Sequence, residues 1–199
     1  MFKTNLGKTG LIFPQGHPYY RGIPPSELTK AIAYLPPENS YRATLTTTGN
    51  PIELHLLHNE IEIPGNMAIA DDLINLGYTD IKLLPDFNEK DVHLRKKFLP
   101  KGYVQRFIKK NPDALITDRY GNVLVAEFKN LKGENTFSQR IKEASEQADY
   151  VVIKLDFEPK RLGVDNMSEI VNGRFKAHEH LKGVMVLNKE GALMYEQYR

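Results

Sequence analysis

The stretch NPDALITDRYGNVLVAEFKN, residues 111–130, decides the fold of this chain. It contains two runs of high β-propensity, residues 113–118 and 123–129, which are separated by the turn-forming residues 120–122. Because the connection is so short, we expect the two runs to pair as neighbouring strands of a hairpin. The remaining elements of the fold are placed relative to this hairpin.

Helical and strand patterns on both sides extend the hairpin to the order α-β-β-β-α-β. Apolar spacings of three and four predict a helix over residues 64–76, which Gly77 ends, and a strand over residues 81–85. After the hairpin, Ser138 is expected to cap a helix that runs to residue 148, and the β-branched residues 150–155 predict a central strand. A right-handed crossover then makes the last strand parallel to an earlier one. The expected fold class is α/β, or α+β, with a mixed central sheet and helices on its faces.

Both ends of the chain are expected to add a helix and a hairpin. In residues 1–58 we predict a short helix capped by Ser26 and a hairpin that turns at residues 48–51. In residues 159–199 we predict a helix and a second hairpin that extends the sheet or packs beside it. The sequence therefore predicts an N-terminal extension, a core at residues 59–158, and a C-terminal helix and hairpin packed on that core.

Composition narrows the possible function classes. The chain of 199 residues contains no cysteine, which excludes disulfides and any zinc site that needs thiolates. No apolar run approaches the roughly 20 residues that span a bilayer, so we expect no membrane partner and a cytoplasmic protein as given. The formal net charge is only +2, so nucleic-acid binding must be argued from the distribution of charge.

One segment concentrates positive charge. Residues 92–112 contain no acidic residue, and aromatic side chains alternate with basic ones along the segment. The part around residues 103–109 is expected to be helical. A phosphate backbone is attracted to such a segment, and aromatic faces stack on bases. The alternative is a solvated basic surface. The candidate nucleic-acid-binding residues are Lys96, Lys97, Lys101, Arg106, Lys109 and Lys110.

The chemistry is expected at Asp113, Glu127 and Lys129. Alternation along a strand places Glu127 and Lys129 on the same face, and the hairpin can bring Asp113 close to Glu127. Two carboxylates supply hard oxygen ligands for Mg²⁺ or Mn²⁺, which polarises a phosphate and lowers the pKa of a bound water. Lysine orients that water or offsets negative charge in the transition state. The alternative is that Glu127 and Lys129 face solvent on an edge strand.

This arrangement resembles the PD-(D/E)xK nuclease superfamily. Pro112-Asp113 and Glu127-Phe128-Lys129 match its motif, and the order α-β-β-β-α-β also matches over about half of the chain. The resemblance implies a metal-dependent nuclease in which Asp113 and Glu127 bind the metal ion.

Further site residues are implied by the same resemblance. An acidic residue near or in the first helix of the superfamily often completes the metal site, and Glu60 and Glu62 are the candidates here. A residue on the helix after the third strand often assists catalysis, and Gln147 or Lys142 is in the matching position.

Three sequence segments also resemble nuclease domains at the C-termini of bacterial contact-dependent growth-inhibition toxins and phage-associated polymorphic toxins. They are NPDALI, VAEFKN and ASEQADYVVIKLD. That resemblance implies cleavage of tRNA, sometimes of DNA, so that RNA is the favoured substrate. It also implies a cognate immunity protein and delivery to the cytoplasm of a target cell as part of a larger secreted protein.

Two alternatives stay open. One is a metal-independent ribonuclease of the barnase, colicin or RelE type, with histidine or lysine as the acid–base group. His55 and His58 are candidates near Glu60, although strand alternation puts positions three apart on opposite faces. The other is a non-catalytic nucleic-acid-binding or protein-binding relative that kept the fold.

Overall fold

A computed structural model describes residues 25–34, 36–106 and 110–199 of the chain. These residues form an eight-stranded sheet with helices on both faces. The strands are β1 (Tyr41–Leu45), β2 (Pro51–His55), β3 (Thr79–Leu83), β4 (Ala114–Thr117), β5 (Val123–Leu131), β6 (Tyr150–Leu155), β7 (Gly183–Leu187) and β8 (Leu193–Tyr198). The expected fold class, a mixed central sheet with helices on its faces, is confirmed.

Six α-helices lie in the described ranges. They are α1 (Pro25–Tyr34), α2 (Ile63–Asn75), α3 (Val92–Phe98), α4 (Lys101–Arg106), α5 (Phe137–Ser145) and α6 (Val164–Ala177). Short 3₁₀ turns occupy Pro37–Ser40, Glu89–Asp91 and Glu134–Thr136. Within these ranges, no helix combines the length and the apolar character needed to cross a membrane.

The strand order in the sheet is the order along the chain, from β1 at one edge to β8 at the other. The pairs β2–β3, β5–β6 and β6–β7 are parallel, and the other four pairs are antiparallel. Each parallel pair is joined by a crossover that carries a helix, because parallel neighbours cannot be joined by a tight turn. The predicted order α-β-β-β-α-β corresponds to α2, β3, β4, β5, α5 and β6, with α3 and α4 inserted after β3.

Three apolar clusters hold the helices on the sheet. On one face, α2 packs over β2 to β7 through residues such as Leu73 and Val152. On the opposite face, α1, α3 and α4 form one cluster with Val125, and α5 and α6 form another with Leu131. Because Glu127 and Lys129 alternate with Ala126 and Phe128, they lie on this second face, between the two clusters. The candidate site therefore lies on the sheet between the helices α1, α3 and α4 on one side and α5 and α6 on the other.

Several element bounds differ from the predicted ones: α5 ends at Ser145 rather than at residue 148, β5 continues to Leu131, and the starts of α5 and β3 also differ. Helix α5 begins at Phe137, after the 3₁₀ turn, and no side chain caps its N-terminus, so the prediction that Ser138 caps it is wrong. Phe137 is buried against the sheet, and with this contact the helix starts two residues earlier than a cap at Ser138 predicts. Strand β3 begins at Thr79, two residues before the predicted start, and contains an irregularity at which Asp80 has a positive φ of 47° and the register with β4 shifts between Thr79 and Lys82.

The terminal hairpins both continue the central sheet. The N-terminal hairpin, β1 and β2, joins it through the parallel pair β2–β3, and the C-terminal hairpin, β7 and β8, joins it through β6–β7. Helix α6 ends at Ala177 and packs in the same cluster as α5. Hydrogen bonding is thus continuous across the expected boundaries near residues 58 and 158.

Candidate active site

Asp113 and Glu127 lie opposite each other across the β4–β5 pair. The register pairs Ala114 with Ala126, so Asp113, which directly precedes β4, faces Glu127. The Oδ2 atom of Asp113 accepts a hydrogen bond of 2.7 Å from the backbone N–H of Phe128, the residue after Glu127. Both carboxyl groups are buried. Both acidic side chains line the same cavity.

Glu127 is the centre of a small polar cluster. Its Oε1 atom accepts hydrogen bonds from Lys129 Nζ at 2.5 Å and from Gln147 Nε2 at 3.0 Å. Its Oε2 atom is buried and has no hydrogen-bond partner. Gln147 follows α5, and its backbone carbonyl accepts a hydrogen bond from the hydroxyl of Tyr103 on α4. Helices α4 and α5 therefore hold Gln147 against the carboxylate.

The charges of the cluster are strongly coupled. Burial, and then the nearby Asp113, raise the pKa of Glu127 well above its usual value. Burial also raises the pKa of Asp113, although Lys129 and the hydrogen bond from Phe128 oppose this shift. Burial alone would lower the pKa of Lys129, but Glu127 and Asp113 outweigh it and raise that pKa. The site thus combines the ammonium group of Lys129 with two carboxyl groups, and loss of the proton from one carboxyl group makes loss from the other less favourable.

Of the two acidic residues expected near the first helix, Glu62 lies at the site and Glu60 does not. Glu62 immediately precedes α2, lines the same cavity as Asp113 and Glu127, and has a pKa raised by burial and then by Asp113. Both residues are exposed, but Glu60 is not among the residues that line the cavity.

Helix α2 supplies a polar contact that the sequence did not indicate. Asn66 Nδ2 donates to Asp113 Oδ1 at 3.2 Å and to His58 Nε2 at 3.1 Å. His58 Nδ1 lies 2.5 Å from the carbonyl oxygen of Leu84, which requires the proton on Nδ1. Burial lowers the pKa of His58, so the ring is neutral near pH 7. A neutral histidine thus orients Asn66, and Asn66 holds one oxygen of Asp113.

The other candidate histidine is part of the apolar core. His55 makes edge-on ring contacts with Tyr41, at 4.9 Å, and with Phe98, at 4.7 Å. Its Nδ1 atom accepts the backbone N–H of Leu57, and burial lowers its pKa to about 3. His55 is not among the residues lining the cavity, whereas His58 is, which agrees with the expectation that the two residues point in different directions.

The cavity has a volume of about 330 Å³ and opens between the ends of α2, α3 and α5. Its wall includes buried Arg95, whose Nε donates to Asn111 Oδ1 at 2.9 Å and whose guanidinium also donates to the carbonyl of Phe87. Asn111 in turn donates to Asp86 at 2.5 Å. This network fixes the chain on either side of the basic segment and holds residues 110–113 next to the carboxylates.

The basic residues of the expected nucleic-acid surface take different positions. Lys96 and Lys101 are exposed, and Lys110 lines the cavity. Lys97 donates to the carbonyl of Ile32 at 2.8 Å, near the end of α1, so part of its role is structural. The side chain of Arg106 and the whole of Lys109 lie outside the described residues.

The donor set fits a divalent cation. The described residues contain no group of three or more histidine, aspartate or glutamate side chains arranged to hold a metal ion by themselves. Mg²⁺, however, keeps several waters and is commonly bound through one or two carboxylates together with substrate phosphates. Asp113 and the unpartnered Oε2 of Glu127 could serve as two such ligands, and a cation there would relieve the mutual repulsion of the carboxylates.

Of the three comparisons with known proteins, one gives a match, and it lies in the second half of the chain. Neither the curated proteins nor the solved structures contain a significant match. Residues 109–193 match the family model described as the contact-dependent growth inhibition CdiA C-terminal domain. This range covers less than half of the chain but includes Asp113, Glu127, Lys129 and Gln147. The match supports the interpretation of this chain as a toxin module of contact-dependent growth inhibition.

Proposed function

We propose that the chain is a divalent-metal-dependent nuclease that hydrolyses phosphodiester bonds in RNA, with tRNA as the favoured substrate. The observation that carries the proposal is the buried Oε2 atom of Glu127, which has no hydrogen-bond partner although Asp113 and Lys129 line the same cavity. Leaving a buried carboxylate oxygen unpaired costs free energy. A hard cation such as Mg²⁺ or Mn²⁺ is the partner that such an oxygen fits.

Each residue has a distinct role in this reaction. Asp113 and Glu127 would hold the cation, and Glu62 lies on the wall of the same cavity. When bound, the cation polarises the phosphate and makes a bound water more acidic. Lys129 keeps its proton because of the carboxylates beside it, so it can donate to a phosphate oxygen as negative charge develops. Gln147 and Asn66 hold the two carboxylates in place.

The choice of RNA and of a toxic role follows from the resemblance to growth-inhibition toxins, which the match over residues 109–193 supports. We infer that a cognate immunity protein blocks the activity in the producing cell, and that the chain acts in the cytoplasm of a target cell after delivery by a larger secreted protein.

The test is cleavage of total tRNA and plasmid DNA by the pure protein with Mg²⁺, with Mn²⁺ and with a chelator. We expect tRNA to be cut with either cation and the chelator to abolish cleavage, while plasmid DNA stays intact. Asp113→Asn and Glu127→Gln are expected to lose about 100-fold or more of the activity. The exposed Asp165→Asn and Glu169→Gln are matched controls on α6 and keep full activity. If neither tRNA nor plasmid DNA is cleaved with any cation, the chain is a non-catalytic module instead.

A thermal-shift measurement tests the cation independently of cleavage. A ligand that binds only the folded chain, at 100 times its dissociation constant, stabilises it by about 2.7 kcal/mol. We expect Mn²⁺ to raise the Tm of the unmodified chain and of the two α6 controls, but not that of Asp113→Asn or Glu127→Gln.

A metal-independent ribonuclease is the second candidate, and one observation favours it. The raised pKa of Glu127 is a property expected of a general acid or base that works near neutral pH. His58 is less suited to that role because both of its ring nitrogens have hydrogen-bond partners. Cleavage that survives the chelator, disappears in Glu127→Gln and persists in Asp113→Asn would support this candidate.

A further inference from the structure

A second cavity, larger than the first, lies beyond the carboxyl ends of β5 and β6. Its volume is about 740 Å³, within the range of ligand-binding clefts. It is open, and its wall combines the segment after β5, one residue of α5 and the loop after β6. Crevices outside the carboxyl ends of parallel strands are common ligand sites in sheets with helices on both faces.

The second cavity continues the line of the candidate active site. Along β5, Leu131 of the second cavity is four residues after Glu127, a distance of about 13 Å in a strand. Arg140 of the second cavity lies in the first half of α5, whereas Gln147 follows the C-terminal end of that helix, about 10 Å further along its axis. Glu143 lies between them and interacts electrostatically with Lys129. This separation corresponds to about three or four stacked nucleotides, at about 3.4 Å each.

Two lysines of the second cavity can bind an anionic ligand. Lys132 and Lys160 line it, and neither forms an ion pair within the described part of the chain. Glu134, one of its two acidic residues, accepts backbone N–H groups of Lys160 and Arg161, which lower its pKa. Backbone N–H groups thus engage the carboxylate of Glu134, while Glu158 also lines the cavity. Lys132 and Lys160 remain available to a phosphate.

Phe157 adds an aromatic surface to the same wall. It is only half-buried and packs against the cluster under α5 and α6. A partly exposed aromatic ring between cations is the combination with which proteins bind single-stranded nucleic acid, because bases stack on the ring while the phosphates pair with lysines.

We propose that the second cavity is a subsite for nucleotides that flank the scissile phosphate. Lys132 and Lys160 bind backbone phosphates, and Phe157 stacks on a base about three or four nucleotides from the cleaved bond. The path of the nucleic acid from the scissile phosphate to the second cavity rests on the proposed nuclease function. Binding of a single-stranded oligonucleotide at this surface is tested separately. It predicts that short substrates, which cannot reach the second cavity, are cut less efficiently than longer ones.

The experiment compares the unmodified chain with the double variant Lys132→Ala/Lys160→Ala. Binding of a fluorescent single-stranded RNA is measured by anisotropy with chelator present, so that no cleavage occurs. We expect the double variant to bind about tenfold more weakly at low salt and to lower the slope of log affinity against log salt by about 1.4, at about 0.7 for each phosphate. The exposed Lys176→Ala/Lys189→Ala is the matched control and keeps the original affinity and slope.

Cleavage kinetics give a second readout. We expect the double variant to raise KM for an RNA oligonucleotide with little change in kcat, and to leave hydrolysis of bis(p-nitrophenyl) phosphate unchanged, because this small diester cannot reach the second cavity. Phe157→Leu, which keeps the apolar packing, is expected to weaken oligonucleotide binding and to leave the salt slope unchanged.

The outcomes separate the two proposals. An unchanged affinity and salt slope in the double variant overturns the subsite, whatever the activity of the unmodified chain. Equal losses on the oligonucleotide and on the small diester also overturn it, since they indicate damage to the catalytic cavity. If the unmodified chain binds RNA through the two lysines but cuts no substrate with any cation, the second cavity stands as an RNA-binding site and the proposed nuclease function fails.

Discussion

Burial of Glu127 should destabilise the fold at neutral pH when no cation is bound. Because its folded-state pKa is raised, the carboxyl group favours the folded chain below its ordinary pKa of 4.5, and this contribution is lost as the pH rises through the folded-state value. We expect Glu127→Gln to raise the Tm by a few degrees at pH 7 to 8 with chelator present, corresponding to about 1 kcal/mol. Below about pH 4.5 the difference should vanish.

Thermal unfolding followed by circular dichroism as a function of pH measures this effect. Glu169→Gln on α6 is the control, because it makes the same chemical change at an exposed position. A Glu127→Gln variant that is less stable than the unmodified chain at neutral pH would mean that the ion pair with Lys129 outweighs the burial of the carboxylate.

Asn66 is expected to act on Asp113 as a positioning residue. Its amide donates to Asp113 Oδ1 and is itself oriented by His58. Loss of such a partner of a metal ligand typically lowers metal affinity or activity by about 10- to 100-fold. We therefore expect Asn66→Ala to need a higher Mg²⁺ concentration for half-maximal cleavage. A titration with Mg²⁺ at saturating substrate checks this.

The control for Asn66→Ala is Asn75→Ala, at the exposed end of the same helix. A drop in activity of Asn66→Ala that is the same at every Mg²⁺ concentration would contradict a positioning role and point to a general loss of structure.

At this scale the sequence predicted only part of the candidate site. Asp113, Glu127 and Lys129 were predictable because strand alternation and a short turn determine their relative positions. Asn66 and His58 carry no pattern of their own, and they reach Asp113 only because α2 packs against the sheet. Arg95 belongs to the basic segment 92–112, and only the structure shows that it is buried and tied to Asn111 and Phe87.

Strand β7 depends on a glycine at its first residue. A Cβ atom on Gly183 would lie 2.4 Å from the ring of Tyr150, which is fully buried in the neighbouring strand. The ring cannot move away without disturbing the core, so we expect Gly183→Ala to destabilise the fold by about 1–3 kcal/mol. Urea unfolding measures the change.

Gly173 is the matched control and should give the opposite sign. It lies in the exposed interior of α6, and a Cβ atom there would meet no atom within 4 Å. Alanine favours a helix interior over glycine, so Gly173→Ala is expected to stabilise the fold by up to about 1 kcal/mol. Equal effects of the two substitutions would show that the contact with Tyr150 has no energetic weight.

The elements themselves were largely predictable, and the errors have local causes. The helix at Ile63–Asn75 was predicted because its apolar spacing, its proline at the first turn and Gly77 all agree. The start of β3 was missed because Asp80 has a positive φ, which no strand pattern indicates. The start of α5 was missed because burial of Phe137, a tertiary contact, outweighed the local preference of Ser138.

For the whole molecule, the continuous sheet predicts joint unfolding. Because β1–β2 and β7–β8 are both hydrogen-bonded to the central strands, the terminal parts should unfold with the core. We expect a single transition in urea by fluorescence and by circular dichroism, with hydrogen exchange in β2 and β7 as slow as in β5. Faster exchange throughout residues 41–55 would instead support an independent N-terminal unit.

The strict agreement between strand order and chain order has a consequence for assembly. No strand has to be inserted between two that already pair, so the sheet can grow from one edge by adding each newly available segment to the last one. Pairing of sequence neighbours keeps the loops to be closed short, which favours rapid folding. With no cysteine to oxidise, a chain threaded through a membrane in extended form would regain this sheet on the far side without a catalyst of disulfide exchange.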